Sequence, residues 1–204
     1  HGSRTSSTDP LLSAVRPYTE ESHWGASFAY TYTKGRQNRD INEHYSFDGA
    51  TLDDYPWIDS NAAPRHRFVA TGNYDGWWGI NIGAKLTLAS PTAYNGFICQ
   101  PPTQPVGQGF CTPASDRPSG YGQFIIGGGF WAYRSLDLQA TKDFNLWGDV
   151  NAFVRLDILN VLNFRNRATI ENGTFNGELK SRYSSTGDFT GVPRTVKVEV
   201  GFKF

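Results

Sequence analysis

The chain has 204 residues, with 19 Lys plus Arg against 19 Asp plus Glu, and so no formal net charge. That length fits one domain with a real core, and a neutral chain offers polyphosphate no long-range field, which counts against nucleic acid as a partner. Only 38% of residues are hydrophobic, while 15% are aromatic and 22 are glycine, a balance that excludes a helical bundle and suits β structure with polar loops.

No apolar run approaches the ~20 residues of a transmembrane helix, a criterion that says nothing about β-barrels. The opening His1-Gly2-Ser3-Arg4 starts a polar stretch, not a basic region followed by an apolar core, so no signal peptide is expected there. A chain working outside the cytoplasm would have had its leader removed.

In chain order, a first strand is expected somewhere within 11–18. The next, near 24–34, alternates Trp24, Ala26, Phe28, Tyr30 and Tyr32 against Gly25, Ser27, Thr31 and Thr33. Such alternation sends the two sets to opposite faces of a strand. A long connection follows over 35–64. The strand near 65–75 is the weakest, with Phe68, Ala70 and Tyr74 opposing Arg67, Thr71 and Asn73 while Val69 breaks the pattern. Asp75-Gly76 predicts a two-residue hairpin into the clearest strand, near 77–89. There Trp78, Ile80, Ile82, Ala84, Leu86 and Leu88 oppose Gly79, Asn81, Gly83, Lys85 and Thr87.

The connection over 90–130 is rich in Pro and Gly and holds both cysteines, Cys99 and Cys111. They are expected to form a disulfide, which needs an oxidising compartment. No histidine lies at finger-like spacing, so zinc is not expected. A strand near 132–144 and a short turn over 143–148 lead to a strand near 148–163, where Val150, Ala152, Val154, Leu156 and Ile158 alternate with Asn151, Arg155 and Asp157. A third long connection spans 164–192. The last strand, near 193–204, sets Val196, Val198, Val200, Phe202 and Phe204 against Lys197, Glu199 and Lys203.

Mid-strand charges keep to the polar parity, and charges on the apolar parity (Lys34, Arg134, Lys142, Arg194) are expected only near strand ends. A soluble sandwich and a membrane barrel both require this. Aromatics separate the two. Trp24, Tyr74, Trp77, Trp78, Phe144, Trp147, Phe202 and Phe204 gather at one set of strand ends, and Tyr30, Tyr32, Tyr94, Phe130, Trp131 and Tyr133 at the other. Two such belts around an aliphatic band, strands of about ten residues, and turns alternately short and long describe an all-β, antiparallel transmembrane β-barrel with short periplasmic turns and long extracellular loops.

Arg155-Leu156-Asp157-Ile158-Leu159-Asn160-Val161-Leu162-Asn163 resembles the penultimate-strand signature of TonB-dependent outer-membrane receptors. The segment from Pro193 to Phe204 is similar to their last strand. Pro17-Tyr18-Thr19 before Trp24-Gly25, and His66-Arg67-Phe68 before Asp75-Gly76, resemble the subgroup with a carboxypeptidase-regulatory-like N-terminal extension. The likeness covers the chain from about residue 11.

It implies a barrel of about twenty-two strands in the bacterial outer membrane, of which this chain supplies the last six or seven, with the plug domain on a part not included here. It also implies the rest of the receptor, the TonB complex, the barrel assembly machinery and outer-membrane lipid as partners, no cofactor, and Phe202 and Phe204 as an assembly signal. The implied function is TonB-energised import of an extracellular ligand, with siderophore, cobalamin, oligosaccharide and peptide all open.

Candidate lumen residues on the polar parity are Arg67, Asn81, Lys85, Asp137, Gln139, Asn151, Arg155 and Asp157; the plainer reading is that they are solvated or pair across strands. Loop aromatics Tyr94, Phe97, Phe110, Tyr121 and Phe124 are candidate ligand contacts, or else pack loop on loop. Asp48, Asp53, Asp54 and Asp59 share one loop without EF-hand spacing, so no metal is assigned. The histidines sit in no H-E-x-x-H, no G-x-S-x-G is present, and no catalytic residue or enzymatic activity is expected. The competing readings are a soluble β-sandwich binding module and a barrel of another kind, either an adhesin or a rim hydrolase.

Overall fold

The computed structural model describes residues 5–38, 57–99, 111–116, 130–148, 150–175 and 178–203. Among the described residues the elements are all strands apart from one 3₁₀ turn. Strand β1 is Thr5–Thr8, β2 Leu11–Arg16, β3 Trp24–Tyr32, β4 Lys34–Gln37, β5 Ile58–Asp59, β6 His66–Asp75, β7 Ile80–Ala89, β8 Tyr94–Cys99 and β9 Cys111–Asp116. Strand β10 is Tyr133–Trp147, β11 Val150–Leu159, β12 Ile170–Phe175, β13 Glu178–Tyr183 and β14 Thr195–Lys203.

Seven strands make one sheet in the order β14-β11-β10-β7-β6-β3-β2, every pair antiparallel. Each strand therefore lies beside its chain neighbour, as an up-and-down meander does. The expected first strand within 11–18 is β2. Among the described residues neither β2 nor β14 has a partner on its outer side, and no closed barrel is formed.

Register decides what the faces are. One rung runs Trp24, Tyr74, Ile82, Ala140, Leu156, Val198, and the next runs Ala26, Gly72, Ala84, Leu138, Ile158, Val196. Residues directly opposite share a face, so even positions pair with even positions across the whole sheet. The alternation read strand by strand becomes one continuous apolar face. Among the described residues no second layer covers it: Val198 is 66% exposed and Val200 65%, and Phe28, Ile82 and Val154 are also exposed. A β-sandwich would bury this side.

The well-buried residues lie instead toward the long-connection end, and include Leu88 (2% exposed), Ala93, Trp131 and Ala132 together with Asn160, Asn166 and Ser135. The long connections are not plain loops. Strands β1, β4 and β5 form a small sheet that extends the first hairpin outward, and β8–β9 and β12–β13 form hairpins of their own.

Several boundaries differ from the sequence reading. Asp75-Gly76 is not a two-residue hairpin. The amide of Gly76 donates to the carbonyl of Ile80 at 2.7 Å across a 3₁₀ turn at Trp77–Gly79, so β7 begins at Ile80 and the two tryptophans stand in the turn. Trp78 and Gly79 both take positive φ (60° and 68°), which only the glycine adopts freely. At the other short turn β10 runs on to Trp147, with a register shift between Asn145 and Trp147, and Gly148 at φ 55° reverses the chain. Lys142 is consequently inside its strand and not near its end. It stands on the apolar face opposite Ile80 and Val154, its Nζ 5.3 Å from the centre of the Phe144 ring.

The aromatic groups also resolve differently at the two ends. Trp24, Tyr74, Trp77, Trp78, Phe144, Trp147 and Phe202 are all exposed around the short turns. At the opposite end Tyr30, His66, Phe130 and Trp131 form a packed chain, with the Tyr30 hydroxyl and His66 Nδ1 2.7 Å apart and Trp131 buried. Tyr133 is on the polar face, in line with Ala89 and Arg67.

Candidate functional site

The polar face is built by the same register. One rung carries Ser27, Thr71, Lys85 and Asp137; the next carries Asn73, Gly83, Gln139, Asp157 and Lys197; a third carries Asn81, Thr141, Arg155 and Glu199. Opposite charges thus face each other three times, as Lys85 with Asp137, Asp157 with Lys197, and Arg155 with Glu199. Such cross-strand pairs each contribute about 0.2–1 kcal/mol and also resist register slip.

The eight candidate lumen residues all lie on this face. Five of them, Arg155, Asp157, Gln139, Asn81 and Asp137, carry side-chain hydrogen bonds on it. Arg155 reaches Glu199 at 2.7 Å and Asp157 at 3.2 Å, and Gln139 donates to the other oxygen of Asp157 at 2.8 Å. Asn81 donates to Asp75 at 2.7 Å. Asp137 is held from two sides, accepting from the Ser135 hydroxyl and from the backbone amide of Asn160, both at 2.8 Å. Asn151 stands opposite Lys203, whose Nζ reaches Asp143 at 2.8 Å. Arg67 and Lys85 are exposed and make no ion pair with a described residue.

Those two cations line a shallow hollow of about 350 Å³ with Thr87, Tyr133, Ser135 and Asp137. A second hollow, of about 260 Å³, adjoins it between Gly72, Gly83, Lys85, Asp137, Gln139 and Asp157. A side chain on Gly83 would project toward Gln139, and its absence leaves that space open. The surface is concave, hydrogen-bonding and of mixed charge, with free donors from Arg67 and Lys85. It suits contact with a polar ligand or a polar protein surface. Among the described residues no group of three or more His, Cys, Asp or Glu converges, and Asp59 instead accepts from Arg65 at 2.7 Å.

Tyr94 and Phe97 fall in β8, paired through the backbone with Asp116 and Pro113, while Phe110, Tyr121 and Phe124, like Asp48, Asp53 and Asp54, lie outside the described residues. Phe202 stands exposed on β14 opposite Ala152, and Phe204 lies outside the described residues. In the β8–β9 hairpin Cys99 is directly opposite Cys111.

Two structural clusters escaped the sequence reading. Asn160 is 1% exposed, takes φ 49° and closes β11; its side chain donates to the carbonyls of Phe164 (2.9 Å) and Val192 (3.1 Å) and accepts from the Phe164 amide (2.8 Å). Asn166 substitutes for a missing strand, accepting from the Arg134 amide at 2.9 Å and donating to its carbonyl at 2.8 Å. The visible signal was Asn160-x-x-Asn163, two residues of the type that tolerates a left-handed backbone. At the short-turn end the Tyr18 hydroxyl donates to Asp75, and that bond holds the phenol above its ordinary pKa.

Compared with protein-family models, with curated protein sequences and with solved structures, the chain matches none.

Proposed function

We propose that this chain is part of the barrel wall of a TonB-dependent outer-membrane transporter, which binds an extracellular ligand and imports it to the periplasm with energy transmitted by TonB. In this reading the apolar face meets lipid, and the polar face meets water, ligand or plug. The rest of the barrel covers the free flanks of β2 and β14. The long connections with their hairpins face outward, and the turns at Trp77–Gly79 and Gly148 face the periplasm.

One observation carries the membrane part of this reading: seven strands keep a single apolar face in register and uncovered, while the cross-strand ion pairs are confined to the other side. A water-soluble protein rarely leaves so broad an apolar surface bare. The family assignment rests on the Arg155-to-Asn163 segment and the final strand. The geometry adds that Asn160 does definite work at the end of β11, tying it to the segments at Phe164 and Val192.

The test substitutes neighbouring positions of opposite parity. Ile82→Arg places a charge against hydrocarbon at a cost of about 2–4 kcal/mol near mid-depth, and Asn81→Arg places it on the polar side. The expected result is loss of protein from the outer-membrane fraction for the first and near-normal recovery for the second. Equal recovery of both variants overturns the membrane assignment. Transport itself is tested by ligand uptake in cells with and without TonB, where TonB-independent uptake refutes the family reading.

A further inference from the structure

Sheet register explains why a hollow forms between two cations of the polar face. Arg67 stands in a rung with Thr31, Ala89 and Tyr133, and Lys85 in a rung with Ser27, Thr71 and Asp137. The rung between them carries only shorter side chains, those of Ala29, Val69, Thr87 and Ser135. Long side chains on both sides of a short row leave a depression, here of about 350 Å³, within the size range of small-molecule sites. Arg67 and Lys85 both line it, and Thr87, Tyr133 and Ser135 add hydroxyls.

The sheet does not neutralise these two cations. Elsewhere on this face opposed charges meet, as Arg155 and Glu199 do at 2.7 Å. Lys85 also has an acid directly opposite, Asp137, yet the two form no ion pair. Asp137 is engaged instead by the Ser135 hydroxyl and the Asn160 amide, both at 2.8 Å on the same oxygen. Arg67 has Thr31 and Ala89 beside it in register, and no described carboxylate pairs with it. The lining therefore holds two exposed cations and one carboxylate that already accepts two hydrogen bonds.

We propose that this hollow is the subsite for a carboxylate of the imported ligand, so that the cargo is an organic acid, and that Arg67 and Lys85 select it over neutral compounds. A guanidinium presents a planar fork matched to a carboxylate, and an ammonium adds a compact second charge. A neutral ligand would leave both cations without a counterpart. The position suits a solute arriving from outside, since Arg67, Ala89 and Tyr133 stand at the long-connection ends of their strands. An acidic side chain of the plug would meet the same chemistry, but a hollow of this size fits one charged group of a solute better than a broad protein contact. The site depends on the proposed transporter reading for its role in uptake. Its charge preference comes from the two cations and the hollow alone.

The experiment uses the full-length protein purified in mild detergent and titrated calorimetrically at low salt with two matched pairs, galacturonate against galactose and gluconate against glucitol. Each pair shares a carbon skeleton and differs by one carboxylate. The expected result is that the acid of each pair binds about tenfold more tightly, as one charge-assisted contact supplies, and that the gap narrows as salt is raised. Arg67→Gln and Lys85→Gln should each narrow it about threefold, the scale of an exposed charge contact, and Lys85→Arg should keep it. Both side chains are exposed, and recovery of each variant in the outer-membrane fraction checks that it has assembled. Absence of binding by either acid, equal binding within both pairs, or a gap untouched by both Gln variants overturns the proposal. So does zero-length carbodiimide coupling of Lys85 to a plug carboxylate, which would show the hollow filled by the receptor itself. If the Ile82 and Asn81 variants separate as expected, only the subsite has failed; if they do not, the membrane reading fails whatever the acids do.

Discussion

Asn160 shows how much one side chain does where a strand has to stop. It satisfies a backbone amide and two carbonyls, its own amide reaches Asp137 on the polar face, and its backbone takes a conformation costing most residues roughly 1–2 kcal/mol. Replacing it therefore has two separable effects. Asn160→Ala loses the side-chain bonds and keeps the strain; Asn160→Gly loses the bonds but relieves the strain. Both variants should unfold earlier in denaturant than the parent, with the glycine variant the milder by about 1 kcal/mol. Indistinguishable midpoints for the two would show that the left-handed backbone contributes nothing. The sequence displayed the asparagines but not their partners, because Phe164 and Val192 meet Asn160 only through the fold.

At the scale of elements, alternation was legible wherever a strand had distinct faces, and the parity of the six main strands emerged from it, while the strand at Leu11–Arg16 showed no such pattern. Turns were less legible. Asp75-Gly76 has the composition of a tight hairpin, yet the paired tryptophans after it form the 3₁₀ turn, and no local pattern announces that. The hairpins inside the long connections were missed because Gly and Pro mask weak alternation, as in Cys111–Asp116.

The β8–β9 hairpin makes the cysteine expectation concrete. Directly opposed residues in an antiparallel pair have Cα atoms about 4.5–5.5 Å apart, within the span a disulfide accepts. Intact mass should rise by about 2 Da on reduction, consistent with one such bond, and an unchanged mass refutes the pairing. Lys142 belongs at this scale too. If its face meets lipid, Lys142→Leu removes a charge from hydrocarbon and should raise the thermal midpoint of the assembled protein. A lowered midpoint would mean that the ammonium has an anionic partner on that side.

For the whole molecule, the decisive property is the agreement of register across seven strands. Composition cannot reveal it, since a shift of one residue in any pair would interrupt both faces. The cross-strand charges on one side and the largely apolar rungs on the other specify the same alignment independently, and their agreement is a physical reason the sheet is well defined. The Ile82 and Asn81 substitutions probe this property, because they place the same residue at adjacent positions of one strand that meet opposite sides. The strand count, six or seven, already implied a sheet with two open edges, and among the described residues these are the outer sides of β2 and β14.

The meander order has a kinetic consequence. Each of the seven strands touches only its neighbours along the polypeptide, so every rung closes a single turn or one connection, and the entropy of closure is met in small instalments. Such a sheet can zip up one hairpin at a time, with the outer excursions settling after their flanking strands have docked. If the flanks of β2 and β14 pair with further strands, as proposed, that meeting brings distant stretches together and is the slow step of assembly.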